Sequence, residues 1–152
     1  MRILNVRLAI VLFVGVTIFG VGIFFLHQYQ YGRHAQRLKD AAEAAKENGD
    51  LAGAIRQMGI YLSLNPDATD AKEKLAGWLV EAGSFVDAFR QYEQVLNADD
   101  GKDRMETRRK MVDLTMLLRR APDAMVHIDI LLKETPEKDK KERSELLALR
   151  GN

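Results

Sequence analysis

The stretch GDLAGAIRQM, from Gly49 to Met58, is matched 34 residues later by GSFVDAFRQY, from Gly83 to Tyr92. Equivalent positions share the same residue in four places: Gly49/Gly83, Ala54/Ala88, Arg56/Arg90 and Gln57/Gln91. A period between about 20 and 50 residues is the signature of a solenoid built from stacked supersecondary units. Small residues at the same place in each unit let neighbouring helices approach closely. The repeat therefore predicts an all-α fold.

The first two units each have the pattern of a helical hairpin. In the unit over 35–68, apolar residues recur at three- and four-residue steps on both sides of the break at Asn48-Gly49. That spacing indicates two amphipathic helices, and Asp50 is placed to cap the second. The unit over 69–102 repeats the arrangement, with its break at Ala82-Gly83. A single hairpin cannot bury its apolar face, so we expect the units to stack into an α-solenoid.

A third unit, over 103–136, follows the same plan with a changed spacing. Ala88 and Ala124 lie 36 residues apart, which indicates about two added residues near Gly101–Arg104. Residues 137–152 then have the pattern of one further helix. This last segment is either a capping helix or the first helix of another unit in a longer array, and the sequence leaves both readings open.

These features resemble the tetratricopeptide repeat (TPR) family, whose unit is a 34-residue helix-turn-helix. The matching residues are Gly49, Ala54, Tyr61 and Pro66 in the first unit, Leu75, Ala76, Gly83, Ala88 and Tyr92 in the second, and Ala124 and Pro136 in the third. The resemblance covers about residues 35–136 and implies that these positions pack the repeats together. The tryptophan expected early in a unit is missing, since Trp78 lies later in its helix.

The resemblance also implies a groove for a protein or peptide partner, lined by the first helix of each unit. The positions that match are Lys39, Glu43, Lys46, Glu47, Asp70, Glu73, Gly77, Glu81, Arg109, Asp113 and Met116. Glu43 stands where the family's carboxylate-binding groove has an asparagine, so that mode of binding is not expected. The mixed charge of the set favours ionic contacts of modest affinity.

The segment Leu8–Leu26 contains no charged residue and is long enough to span a bilayer as a helix. It predicts a transmembrane anchor within residues 1–32, ahead of a repeat domain over 33–152. A cleaved signal peptide is the alternative, but no A-x-A site follows the apolar run. The short amino tail favours a signal-anchor in a bacterial inner membrane, with the repeats on the periplasmic side. The predicted protein is thus single-pass, with the bilayer as a second partner.

Composition and motifs exclude several function classes. Residues 40–152 carry a net charge of −4, unlike the basic surfaces that bind nucleic acid, and there is no cysteine. No catalytic constellation, phosphate loop or cofactor motif is present, and the few histidines, His27, His34 and His127, do not form a recognisable metal motif. The basic run at Arg104, Arg108, Arg109 and Lys110 is read as a solvated helix face. We therefore expect neither an enzyme nor a small-molecule substrate.

The predicted function is a membrane-anchored, non-catalytic TPR scaffold for protein–protein interaction. Two alternatives remain at this stage. The segment is either the tethering part of a larger cell-envelope assembly or export factor, or it precedes a catalytic domain that lies beyond residue 152. The first is an analogy of layout alone.

Overall fold

The computed structural model describes residues 6–98 and 104–151, and within the first helix it describes the side chains of 13–23 and 33–47. All regular secondary structure in the described part of the chain is helical. Its seven helices are α1 (Val6–Glu47), α2 (Leu51–Leu64), α3 (Thr69–Glu81), α4 (Phe85–Asn97), α5 (Met105–Leu117), α6 (Ala121–Glu134) and α7 (Lys140–Gly151).

Consecutive helices pair as hairpins that stack along the chain. The most extensive contacts join α1 with α2, α3 with α4, and α5 with α6. Smaller contacts join α2 with α3, α4 with α5, and α6 with α7, so the main contacts among the described residues are between neighbours in the sequence. This nearest-neighbour arrangement is that of a helical repeat solenoid. The predicted all-α repeat architecture is confirmed for the described residues.

The amino-terminal helix departs from the sequence prediction. We expected an apolar helix over 8–26 and a separate repeat helix from Arg37, but α1 is continuous from Val6 to Glu47. Between these two parts there is no proline, and Gly32 is the only glycine. A single glycine costs about 1 kcal/mol in a helix interior, which is too little to end a helix whose flanking turns are formed.

The predicted transmembrane helix is corrected by the structure. Among the described residues, no helix has a stretch long and apolar enough to cross a bilayer. The apolar side chains described in α1 run from Phe13 to Ile23, which is about 16 Å of helix against a hydrocarbon core of about 30 Å. The side chains of 8–12 and 24–26 lie outside the described set. The predictions of a transmembrane helix over Leu8–Leu26, of a bilayer partner and of a single-pass inner-membrane location are therefore not supported.

The three hairpins turn with the same backbone motif. At the end of α1, the Gly49 amide donates to the Lys46 carbonyl and the Asp50 amide donates to the Ala45 carbonyl. This pair of bonds closes a helix when the turning residue has a left-handed backbone, and Gly49 has φ 81°. The same two bonds recur at Gly83 (φ 77°) and at Arg119 (φ 56°). The same turn therefore joins the two helices in each of the three hairpins.

The lengthened third unit has a local cause. The interval from the start of the first helix to the start of the second is the same in α3–α4 and α5–α6, from Thr69 to Phe85 and from Met105 to Ala121. The connection between α2 and α3 covers 65–68, whereas that between α4 and α5 covers 98–104. The helix bounds thus place the added residues in the connection between the second and third hairpins.

Candidate protein-binding groove

A groove follows the seam between α3 and α5. It consists of two adjoining depressions of about 300 Å³ and 450 Å³, which share Gly77, Tyr92 and Lys110. The smaller depression is lined also by Val80, Asp113, Leu114 and Leu117, and the larger also by Asp70, Glu73, Lys74 and Trp78. Its walls come from the first helices of two successive units, and only Tyr92 comes from a second helix, α4.

The floor of the groove is formed by Tyr92, and it is open because Gly77 on the α3 wall has no side chain to cover it. A Cβ placed on Gly77 would have the Tyr92 hydroxyl as its nearest neighbour, at 3.9 Å. Tyr92 itself is buried, and burial together with the charges of Glu73 and Glu106 raises the pKa of its phenol. The floor therefore presents a neutral hydroxyl at ordinary pH. Beside it, Val80 and Leu117 are 36% and 58% exposed, so the smaller depression has an aliphatic wall open to solvent.

Glu73 organises the polar wall. It accepts hydrogen bonds from the Arg104 guanidinium at 2.8 Å and from the Thr107 hydroxyl at 2.6 Å, and Lys110 Nζ lies 3.5 Å away. Burial by itself would raise the pKa of Glu73, but the bonds from Thr107 and Arg104 outweigh it and the pKa is lowered. Arg104 also reaches Asp70 at 2.7 Å. The Glu73 carboxylate is thus held ionised by residues at the start of the next unit.

Ion pairs of the same kind join the other units. On the α1 side, Lys74 pairs with Glu43 at 2.5 Å and Lys46 with Glu81 at 2.6 Å. The hydrogen bond from Lys74 lowers the pKa of Glu43 against the opposing effect of burial. On the other side, Arg109 of α5 binds Glu142 of α7. Most charges that sequence reasoning assigned to a partner are therefore engaged between repeats.

A third depression, of about 170 Å³, lies between α5 and α7. Its lining residues are Arg109, Val112, Asp113, Leu131, Glu142, Glu145, Leu146 and Leu149. Asp113 lines both this depression and the smaller part of the α3–α5 groove. The two regions are therefore neighbours on the first helices of the repeats.

The structure separates the predicted groove residues into two sets. Asp70, Glu73, Gly77, Arg109 and Asp113 line these depressions, whereas Lys39, Glu43, Lys46, Glu47, Glu81 and Met116 do not. Sequence reasoning missed the aliphatic residues Val80 and Leu117. They lie three and four residues after Gly77 and Asp113, so helical spacing would have placed them on the same face.

The residues predicted to pack the repeats together also fall into two sets, one buried and one at least partly exposed. Ala54, Ala76, Ala88, Tyr92 and Ala124 are buried at the contacts between helices. By contrast, Gly49, Gly83, Pro66 and Pro136 are exposed, and Tyr61 is half-buried. The two glycines act through their backbone conformation in the turns rather than by packing. As for a metal, no group of three or more potential ligands occurs among the described residues.

Comparison with known proteins identifies the type of fold. No protein-family profile matches the chain, and no curated protein matches it. Among solved structures, the chain is similar to the TPR domain of Arabidopsis OM64, with a TM-score of 0.61 and 17% identity over 79% of this chain and 97% of that domain. The chain has a TPR-like fold.

Two further structures are similar to this TPR-like chain. The MamA protein has a TM-score of 0.66 and 16% identity over 79% of this chain, and a chain of the CopN–Scc3 complex has 0.61 and 15% over 76%. The TPR-like chain spans 64% of the length of MamA and 68% of that of the CopN–Scc3 chain. At these identities the likeness concerns the fold alone.

Proposed function

We propose that this protein is a non-catalytic scaffold that binds a partner protein in the groove between α3 and α5. The observation that carries the proposal is the open aliphatic wall of Val80 and Leu117 beside a buried floor at Tyr92. Solvent-exposed aliphatic side chains grouped in a depression and rimmed by charges are typical of a protein-interaction surface. The depression is also large enough for one or two side chains of a partner.

The surrounding ion pairs support a preformed groove. Thr107 and Lys110 of α5, together with Arg104 directly before it, contact Glu73 of α3, so the two walls are joined along one edge. A partner that enters such a groove does not have to order its walls, and the entropic cost of binding is smaller. The aliphatic side chains of Val80 and Leu117 remain exposed beside these pairs and can contact a partner.

Site-specific photo-crosslinking tests the proposal in cells that express the full chain. A photoreactive residue at Leu117, in the groove, should form a discrete adduct with a partner protein. The matched position is Val86 on α4, which is 64% exposed and lies outside the three depressions. The partner identified by mass spectrometry is then purified and titrated against the full chain.

A pair of glycine variants locates the binding surface. Gly77→Phe places a ring in the groove, and because Tyr92 is the only close neighbour of its Cβ the helix should accept it. Gly59→Phe on α2 is the control, since no atom lies near its Cβ and Gly59 is exposed. We expect Gly77→Phe to weaken binding at least tenfold and Gly59→Phe to leave it unchanged. Equal adducts at positions 86 and 117, or equal binding by both variants, would contradict the proposal.

A further inference from the structure

The charges around the groove are unequally compensated. Asp70 and Glu73 pair with Arg104, and Glu142 pairs with Arg109. Asp113 and Glu145 differ: neither makes an ion pair or side-chain hydrogen bond with any residue that the structure describes. Both side chains are exposed. The lining thus contains two uncompensated carboxylates, meaning that neither forms an ion pair with a described residue.

The cations of the same lining are already engaged. Lys110 lies 3.5 Å from Glu73, and Arg109 contacts Glu142 as well as Glu106 at 3.6 Å. Hydrogen bonding to Glu142 raises the pKa of Arg109. The uncompensated charge presented to a partner is therefore negative, although the lining contains both signs.

Asp113 lies at the centre of this surface because it lines two of the three depressions. It lines the smaller part of the α3–α5 groove together with Leu114 and Leu117, and it lines the α5–α7 depression together with Glu145 and Leu149. Each uncompensated carboxylate thus lies beside aliphatic side chains. A ligand that approaches Asp113 meets a negative charge and an apolar surface at once.

We propose that the occupant of this surface is a segment of a partner protein that carries lysine or arginine next to an aliphatic side chain. The proposal rests on the proposed function and names its partner class. The basic group pairs with Asp113 and Glu145, and the aliphatic group lies against Val80, Leu114 and Leu117. Complementary charge selects partners and rejects segments of the wrong sign, since like charges in a contact are costly. Acidic segments are therefore excluded by the same two carboxylates.

A positional-scanning array of synthetic 12-residue peptides, probed with the full chain, tests this proposal. We expect enrichment of lysine or arginine beside leucine, isoleucine or valine. The best peptide and its analogue with glutamate in place of the basic residue are then compared by fluorescence anisotropy, and the basic form should bind at least tenfold more tightly. Binding of the basic form should weaken with added salt because the contact is ionic.

Two double variants connect this preference to the structure. D113N/E145Q should weaken binding of the basic peptide about fivefold or more, as expected for the loss of two ion pairs at a surface. The difference in affinity between the basic peptide and its acidic analogue should become smaller. The control D67N/E137Q removes two exposed carboxylates that form no described ion pair and line none of the three depressions, and it should keep the preference.

The outcomes separate the two proposals. Enrichment of acidic or purely apolar peptides that Gly77→Phe abolishes would overturn the basic-segment proposal and leave the scaffold function standing. A basic preference that survives D113N/E145Q would also overturn it. If the array shows no enrichment and crosslinking at Leu117 yields no adduct, both proposals fail.

Discussion

Gly83 and Arg119 occupy the same left-handed turn position in successive repeats, with φ of 77° and 56°. The amide of each donates to the carbonyl three residues before it, and the next amide reaches back five residues. A residue with a Cβ is strained in this conformation, whereas glycine is not. The third repeat therefore retains the turn without the residue that best fits it.

This relationship predicts a stabilising substitution. Arg119→Gly should raise the free energy of unfolding by about 0.5–1 kcal/mol, because the relief of strain exceeds the added entropy of the unfolded chain. Urea denaturation followed by circular dichroism measures the change. Gly83→Ala is the opposite control and should lower stability by a similar amount. A variant Arg119→Gly that is no more stable than wild type would show that the turn carries no strain there.

The second helix of the first hairpin has a side-chain cap that its counterpart lacks. Asp50 accepts a hydrogen bond from the Gly53 amide at 2.8 Å, whereas Ser84, at the same position before α4, makes no side-chain cap bond. Asp50→Ala should therefore cost about 1 kcal/mol of stability. Ser84→Ala should cost only a few tenths, by the same urea titration. If Asp50→Ala and Ser84→Ala lost equal amounts of stability, the Asp50 cap would contribute nothing beyond its counterpart.

Glu73 is expected to stabilise the contact between the second and third repeats. Glu73→Gln weakens its bonds to Arg104 and Thr107 at a partly buried site, and we expect a loss of about 1–2 kcal/mol. Asp87→Asn removes an exposed pair with Arg90 at 3.3 Å and should change stability by less than about 0.5 kcal/mol. Thermal and urea unfolding of the two variants provide the comparison. A neutral Glu73→Gln would mean that the contacts of Glu73 add no measurable stability between the second and third repeats.

His127 should make the fold sensitive to mild acid. Burial, and then the charge of Arg108 at 3.4 Å, lower the pKa of its imidazole, with partial opposition from Asp123 and Glu93. The unfolded chain therefore binds more protons than the native state just below the ordinary histidine pKa of about 6.5. Stability should fall as pH decreases from about 7 to 5.

The variant His127→Gln isolates this contribution. It should flatten the dependence of the unfolding free energy on pH between about 5 and 7 relative to the wild type. The lowered pKa values of Glu43 and Glu73 act in a separate pH window, because their contribution to stability is present above the ordinary glutamate pKa of 4.5 and is lost as pH falls through the lower folded pKa. An unchanged slope in His127→Gln would contradict the assignment.

The sequence by itself determined the repeat architecture. Helical periodicity, the 34-residue offset and the turn glycines Gly49 and Gly83 are visible in the order of residues, because each depends on neighbours within a few turns of helix. The same local signals placed the helical cap at Asp50 and the added residues of the third unit before Met105. They also led to the membrane prediction, which the described residues of α1 do not support.

Only the tertiary structure decided which charges are available to a partner. The pairs that engage Glu43, Glu81 and Glu73 join residues 31 to 35 positions apart, so they depend on how one repeat is set against the next. From the sequence alone, an acidic residue that forms such an ion pair cannot be distinguished from Asp113, which has no described partner. Long side chains reach across the seam between repeats, and their pairing follows from the stacking geometry, which local patterns do not encode.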